Sequence, residues 1–294
     1  MSALRAIASA EPNLVEGEFA FTRPDFQGIA DLIYAQAGIV LTESKANLVY
    51  SRLAKRLRAL QIESFADYCR LIDSPAGADE RGVMLNSLTT NVTRFYREPH
   101  HFDDLRERVL LPALPRLKAG GRLRLWSAAC SSGQEPYSMA LTLLSVLPEA
   151  ADLDVKILAT DIDSKIVAQA RQGLYSDEHI EPIPADLRSR WLERDSADRS
   201  QWRVSARVRS LISFKELNLI GDWPMKGPFD VIFCRNVVIY FDEPTQERIW
   251  SRFMPLMAPD GRLYIGHSER VGAGVAGLAS DGLTVYRRTG SSRS

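Results

Sequence analysis

The chain has 294 residues, 45% of them hydrophobic and 25% charged, which supplies a sizeable core and exceeds the length of one average domain. Lys plus Arg and Asp plus Glu each number 37, so no global field directs the protein to nucleic acid or to an anionic membrane. Cys69, Cys130 and Cys234 are scattered, and among four histidines only His100 and His101 are neighbours, so reduced thiols and no metal centre are expected. No apolar run reaches the length of a membrane span, and residues 1–20 hold Glu11, Glu16 and Glu18 without the apolar stretch of a secretory signal. A cytoplasmic protein is therefore expected, with loose tails over residues 1–20 and 290–294.

Residues 21–88 read as a small helical domain. Ile29, Leu32, Ile33 and Ala37 make one face of a helix that Gly38 can terminate. A second helix opens near Thr42 and carries Val49, Leu53, Leu57 and Leu60 as its core stripe. The same helix bears Lys45, Arg52, Lys55, Arg56 and Arg58 against Glu43 alone. Phe65, Tyr68, Leu71 and Ile72 mark a third helix that ends at Pro75, and a short fourth covers residues 80–88. Residues 89–98 form a linker whose hydrogen-bonding side chains, set among aromatics, suit either a cleft lid or a capped connection. His100 and His101 begin or cap the next helix.

From Arg122 the pattern changes to alternating strands and helices. Leu123, Leu125 and Trp126 make a strand, residues 128–133 a small-residue turn, and Met139, Ala140, Leu143, Leu144 and Leu147 a helix with Pro136 in its first turn. Strands follow over residues 155–159, 211–214, 229–234, 262–266 and 283–288. A helix over residues 164–171 ends at Gly173, and another from about Pro244 carries Ile249, Phe253 and Met257, shortened or kinked by Pro255. Asp260–Gly261 is read as the turn into the strand at residue 262. Alternation lapses over residues 174–211, where short antiparallel strands in an inserted subdomain are expected. The fold class is α/β: a doubly wound, mainly parallel sheet over residues 99–290, with the helical domain before it and the inserted β subdomain within it.

Such sheets bind ligands outside the carboxyl ends of their strands, next to helix N-termini. The turn after the first strand contains only one glycine, Gly133, where a phosphate cradle of the G-x-G-x-x-G kind needs more. A nucleoside with little or no phosphate is the better fit. Asp161, at the end of the second strand, is placed either to accept hydrogen bonds from ribose hydroxyls or, like Asp163, to cap the next helix. Glu135 is either a helix-start carboxylate or a ligand contact. Arg235, Asn236, Tyr240 and Asp242 follow the strand at residues 229–234, where the active site of a doubly wound sheet lies. His267, Ser268 and Glu269 offer a superficial hydrolase vocabulary, but no nucleophile elbow accompanies them.

Taken together, these segments resemble the chemotaxis receptor methyltransferases, the CheR-type protein-glutamate O-methyltransferases. The resemblance rests on NVTRFYREPHHF at 91–102, SAACSSGQEPYSMA at 127–140, ATDID at 159–163, FDVIFCRNVVIYFD at 229–242 and GRLYIGHSE at 261–269, and spans most of the chain. It implies S-adenosylmethionine as cofactor, with S-adenosylhomocysteine as product. Cofactor contacts are implied from Asn91, Thr93, Arg97, Glu135, Asp161, Asn218, Leu219, Arg235 and Asn236. The implied reaction methylates glutamate carboxylates on the cytoplasmic helices of methyl-accepting chemotaxis receptors. Arg97 and Tyr240 are the residues expected to orient that carboxylate. Because such helices are acidic, Arg52, Lys55, Arg56 and Arg58 are candidates for receptor docking, against the plainer reading of a solvated helix face.

One departure bears on partners. Family members that tether to a receptor's C-terminal peptide carry a glycine-containing loop in the inserted subdomain, and residues 174–219 here contain no glycine. Tether independence is therefore expected of a monomeric enzyme that has no nucleic-acid partner and does not insert into the membrane. A methyltransferase with another substrate lacks support from the charge balance or from an aromatic base site. A non-catalytic adaptor is disfavoured by Arg97, Arg235, Asn236 and Tyr240.

Overall fold

The computed structural model describes residues 12–272 and 274–289, so the expected tails at residues 1–11 and 290–294 lie outside the described residues. The chain divides after Thr89 into two compact units. In the first, helix α1 (Arg23–Ala37) starts with a reciprocal cap between Thr22 and Asp25 and stops at Gly38, whose φ of 71° lies in the left-handed region that glycine enters without strain. A 3-10 turn, Glu43–Lys45, leads into α2 (Ala46–Leu60). Helices α3 (Phe65–Asp73) and α4 (Ala78–Leu88) complete the unit.

Phe21, Ile29, Ile33, Val49, Leu53, Leu57, Phe65, Tyr68 and Met84 form its core. Leu60, expected on that stripe, is instead exposed because it sits in the last turn of α2. Residues 12–20 are not a loose tail. The Leu14 N–H donates to the Phe21 carbonyl at 2.7 Å, and the Phe19 N–H donates to the Tyr50 hydroxyl at 3.1 Å. Phe19 itself is buried, and covering that ring is what holds the segment down.

In the second unit, α5 (His100–Asp104), a π-helical turn (Leu105–Leu110) and α6 (Leu111–Lys118) precede the sheet. Strand β1 (Leu123–Ala128), α7 (Gln134–Val146), β2 (Val155–Asp161) and α8 (Ser164–Gln172) then alternate as expected. The inserted segment holds β3 (Leu174–Ser176), α9 (Asp177–Ile180), α10 (Ala185–Trp191), β4 (Leu192–Arg194), β5 (Gln201–Val204) and α11 (Ala206–Arg209). Its strands pair antiparallel in the order β3-β5-β4. The main chain of elements resumes with β6 (Ile212–Glu216), β7 (Phe229–Cys234), α12 (Glu243–Phe253), β8 (Met257–Ile265), β9 (Leu278–Ser280) and β10 (Val285–Arg288).

The main sheet has the order β6-β2-β1-β7-β8-β10-β9, parallel from β6 to β8 and antiparallel at β10 and β9. The connections run outward from β1 to β2 and β6, then return to β7 on its other side. The order therefore reverses between β1 and β7, and a crevice opens at their carboxyl ends. Helix α7 is buried on nearly every side, which explains why its apolar residues exceed a single stripe.

Strand β9 and the helices α9, α10 and α11 were not expected, β10 begins at Val285 instead of residue 283, and two boundaries around β8 differ as well. Met257 begins β8 rather than continuing α12, because Pro255 ends the helix in a 3-10 turn. Asp260–Gly261 is an irregularity inside β8, not a turn before it. Met257 pairs with Phe229 and Arg262 with Val231, so residues 258–261 bulge opposite Asp230 alone. Among the described residues no helix is long and apolar enough to cross a membrane.

The helical unit contains one buried ionic knot. Arg56 donates to both carboxylate oxygens of Glu80, at 2.9 and 2.7 Å, and Tyr68 donates its hydroxyl to the same carboxylate at 2.9 Å. Arg56→Ala removes the cation from a carboxylate that stays buried, and should destabilise the protein by about 2–4 kcal/mol in urea unfolding.

Candidate functional site

Small residues in unusual backbone conformations build the turn after β1. Ala129 (φ 69°), Ser131 (φ 50°) and Gly133 (φ 95°) all adopt positive φ, so the chain doubles back tightly before α7. At Gly133 a Cβ would lie 2.9 Å from the Tyr175 hydroxyl and 3.0 Å from Ala170, in a backbone conformation that side chains avoid. Asp161 holds this turn from β2. Its carboxylate accepts from the Ser131 N–H at 2.8 Å and from the Asp163 N–H at 3.0 Å. Asp163, not Asp161, caps α8, accepting from the Lys165 and Ile166 N–H groups. Burial pushes the Asp161 carboxyl up from its usual range, against the hydrogen bonds from Asp163 and Ser131.

Glu135 does not cap its helix. Its buried carboxylate accepts from the Ser127 hydroxyl at 2.7 Å and from Arg235 at 3.0 Å. Burial raises its pKa, while the Arg235 charge and the Ser127 hydroxyl oppose the rise. Arg235, at the end of β7, is buried as well. Its guanidinium also lies 3.2 Å from Glu98 and donates to the Arg97 carbonyl. The result is a bridge of two carboxylates and one cation spanning the carboxyl ends of β1 and β7.

The expected linker, residues 89–98, is laced to this centre. The Asn91 amide donates to Asp163 at 3.1 Å, and its carbonyl accepts from the Ser131 hydroxyl at 3.0 Å. Arg97 turns its guanidinium back onto the Val92 carbonyl at 3.0 Å. Thr93 is half-buried beside Asn91 on the same segment. Beyond β6, Asn218 folds its side chain onto the Ile220 N–H at 3.1 Å, and Leu219 is buried. Arg252 fastens that loop, donating to the Leu219 carbonyl at 2.9 Å and stacking over Trp223 at 4.0 Å. Asn236 (φ 58°) and the half-buried Tyr240 occupy the segment after β7.

Residue-by-residue sequence reasoning passed over two carboxylates of the centre. Glu98 meets Arg235, accepts from His267 at 2.9 Å, and lies 3.4 Å from the Asn236 amide. Glu269 is buried and accepts from the backbone N–H groups of Asn236, Val237, Val238 and Gly266, at 3.0, 2.9, 2.8 and 2.5 Å. It thereby fixes the segment that carries Asn236 and Tyr240. The signal for Glu269 was its place at the carboxyl end of a strand, read above only as an unsupported hydrolase motif.

Glu98, His100 and His101 could offer a metal ion three ligand atoms within 4.8 Å of one another. The Arg235 guanidinium already supplies a cation to that carboxylate, so a divalent ion there would face a buried like charge. All three cysteines are free thiols.

The expected docking residues have mixed fates. Arg52 donates to the Ser87 and Thr89 carbonyls, Arg56 is bound to Glu80, and Arg58 pairs with Glu18. The count against Glu43 alone therefore overstated the positive excess, because Glu18 and Glu80 arrive from other segments. Lys55 remains exposed on α2.

A parallel sheet reversing at β1 and β7, a glycine-poor turn sealed by an aspartate, and a buried glutamate–arginine centre line one crevice, and the family match makes the chain an S-adenosylmethionine-dependent methyltransferase. Residues 91–279 match the CheR methyltransferase SAM-binding domain, and residues 24–89 match the CheR methyltransferase all-alpha domain. The chain belongs to the CheR methyltransferase family. It is 56% identical to a probable chemotaxis protein methyltransferase of Rhizobium etli, covering 88% of this chain and 97% of that protein. It is 45% identical to chemotaxis protein methyltransferase 2 of Pseudomonas aeruginosa, covering 92% and 94%. The Escherichia coli chemotaxis protein methyltransferase is 40% identical, with 91% of each chain covered.

The centre makes the fold acid-sensitive. Burial, helped by the Arg235 charge and by His100, holds the His101 pKa down at about 3. Burial opposes ionisation of Glu98, but His267 and Arg235 outweigh it and hold that pKa at about 2. In both cases the unfolded chain binds the proton first, so stability is full above pH ~6.5 and falls as pH falls. Below about pH 6.5 the His101 contribution falls by at most about 1.4 kcal/mol per pH unit, the raised Glu135 and Asp161 carboxyls act in the opposite sense as they take up protons in the folded state, and the Glu98 loss joins below about pH 4.3. His101→Asn should flatten the upper part of the pH–stability curve in denaturant titrations, and an unchanged slope would refute the assignment.

Proposed function

We propose that this enzyme transfers the methyl group of S-adenosylmethionine to glutamate side-chain carboxylates on the cytoplasmic helices of chemoreceptors, in chemosensory adaptation. The products are glutamate methyl esters and S-adenosylhomocysteine. The observation that carries this reading is the buried Glu135–Arg235–Glu98 bridge at the strand ends, tied to the Asn91–Arg97 segment. The relatives that match nearly the whole chain are chemotaxis protein methyltransferases, which supports a substrate among chemotaxis proteins.

The donor set suits a nucleoside without phosphate. Asp161 points a carboxylate into the turn, which would repel a phosphate and can accept from a ribose diol. Glu135, an anion aimed at the same crevice, suits the cofactor's ammonium group. Asn91, Thr93, Arg97, Asn218, Leu219, Arg235 and Asn236 complete the proposed set. When bound, the cofactor supplies a methyl group activated by its sulfonium.

The protein's own task is then alignment. A glutamate is ionised at neutral pH, so no strong base is required. Arg97 uses one nitrogen on the Val92 carbonyl, and its other N–H groups are without partners among the described residues, so it can steer an incoming carboxylate. Tyr240 lies half-buried with its hydroxyl making no hydrogen bond to a described residue, and it offers the second contact. A lighter hold by Arg97 is the better one, because the anion's charge is lost in the transfer and tight pairing would favour the ground state. Water exclusion and in-line geometry provide the remaining acceleration.

Receptor docking through α2 falls to Lys55 and Arg52, with Arg56 and Arg58 contributing through their already paired charges. The 195–200 connection of the inserted subdomain is closed on itself, with Asp195 accepting from the Ala197 and Asp198 N–H groups and pairing with Arg203. With no glycine available to reshape this subdomain, the enzyme acts without a receptor tail tether, as a cytoplasmic monomer.

Tritiated methyl transfer to receptor-containing membranes should yield base-labile counts. Tyr240→Phe should lower kcat about tenfold or more while leaving cofactor affinity within about threefold, and Arg97→Ala should lower kcat at least as far and weaken the cofactor as well. Full turnover in either variant would remove that residue from the reading. Receptors with and without their C-terminal tails should be methylated with the same kcat/KM, and tight binding of a tail peptide by calorimetry would overturn tether independence.

A further inference from the structure

Glu98 is absent from the residues proposed to touch the cofactor or the substrate, yet it joins several of them. Its carboxylate lies 3.2 Å from Arg235, accepts from His267 Nδ1 at 2.9 Å and from the Asn236 amide at 3.4 Å, and lies 3.5 Å from His101 Nδ1. Its backbone sits at φ 55° and that of Tyr96 at 52°, a strained arrangement that side-chain-bearing residues adopt only where their surroundings enforce it. On the far side of Arg235, Glu135 takes the other guanidinium nitrogen at 3.0 Å. One cation is thus divided between two carboxylates.

We propose that Glu98 is a positioning residue that holds Arg235 to a single contact with Glu135, leaving a lone pair open on each Glu135 oxygen for the ammonium group of the cofactor's amino-acid arm. This rests on the reading of Glu135 as a cofactor residue. An arginine facing a single carboxylate settles into a two-pronged pair that takes a lone pair on each oxygen, and here it would add a second donor to the oxygen that Ser127 already occupies. With Glu98 in place only one nitrogen reaches Glu135, and the Ser127 hydroxyl takes the other oxygen. Glu98 is suited to the task because its other partners, His267 and Asn236, keep it on the far side of the guanidinium. The His267 hydrogen bond and the Arg235 charge also favour its ionised form.

The test compares two ligands that differ in the amino-acid arm. S-adenosylhomocysteine carries the ammonium group, whereas methylthioadenosine has the same nucleoside and sulfur without it. Calorimetry on the full chain should show Glu98→Gln weakening S-adenosylhomocysteine at least fivefold, with methylthioadenosine changed less than twofold. Glu98→Asp, which keeps a carboxylate on that side of Arg235, should stand nearer wild type in this ratio. It also serves as the working variant if the glutamine form does not fold. In a Glu135→Gln background, Glu98→Gln should have no further effect on the ratio. Equal weakening of both ligands, or an aspartate form worse than the glutamine form in the ratio, would overturn the role of Glu98. If Glu135→Gln alone leaves the ratio unchanged, the ammonium reading of Glu135 fails and the proposal fails with it.

Discussion

The second unit depends on how one buried arginine is shared. Arg235 lies between Glu135, at the start of α7, and Glu98, at the end of the segment preceding α5, and it also holds the Arg97 carbonyl. These groups come from parts of the chain more than a hundred residues apart in the case of Arg235 and Glu98. Their burial is tolerable only because each charge meets an opposite one and most remaining polar atoms find partners. Removing one member of such a group leaves an uncompensated charge, at a cost of about 3–5 kcal/mol. The bridge is therefore a structural constraint and a chemical one together. It sets where the 91–98 segment lies, and it presents an anion to the crevice.

The topology explains why the bridge stands where it does. The reversal of strand order at β1 and β7 leaves the carboxyl ends of these strands without a crossover passing above them. The turn after β1 can then approach a ligand with its backbone, helped by left-handed Ala129, Ser131 and Gly133. Asp161 restrains this turn from the neighbouring β2, and Glu269 restrains the segment after β7 by gathering four backbone N–H groups. Two carboxylates that bind backbone, and two that share an arginine, thus surround one crevice. This arrangement suits a cofactor that carries cationic groups and a ribose but no phosphate.

Much of this was legible residue by residue. The limits of β7 and the Gly38 and Gly173 caps followed from apolar periodicity and from the backbone freedom of glycine. The absence of a phosphate cradle followed from the single glycine at 133. Other features were not legible, because they depend on partners distant in sequence. Arg56 and Arg58 looked like surplus charge until Glu80 and Glu18 came beside them. Residues 12–20 looked loose until Phe19 was seen buried, with its N–H on Tyr50. Asp260–Gly261 has the local chemistry of a turn, and only its pairing with β7 makes it a bulge.

By itself, then, the sequence determined the order of the main helices and strands outside the inserted subdomain, the helical and α/β parts, and a turn too poor in glycine for a phosphate cradle. It did so because periodicity, caps and turn residues act over a few positions. Only the tertiary structure decided the role of each charge. It made Glu135 a partner of Arg235 instead of a cap, and gave the cap of α8 to Asp163. It also brought Glu98 and Glu269 into the centre. The physical reason is range: a carboxylate's chemistry depends on which donors burial forces against it, and here those donors come from across the fold.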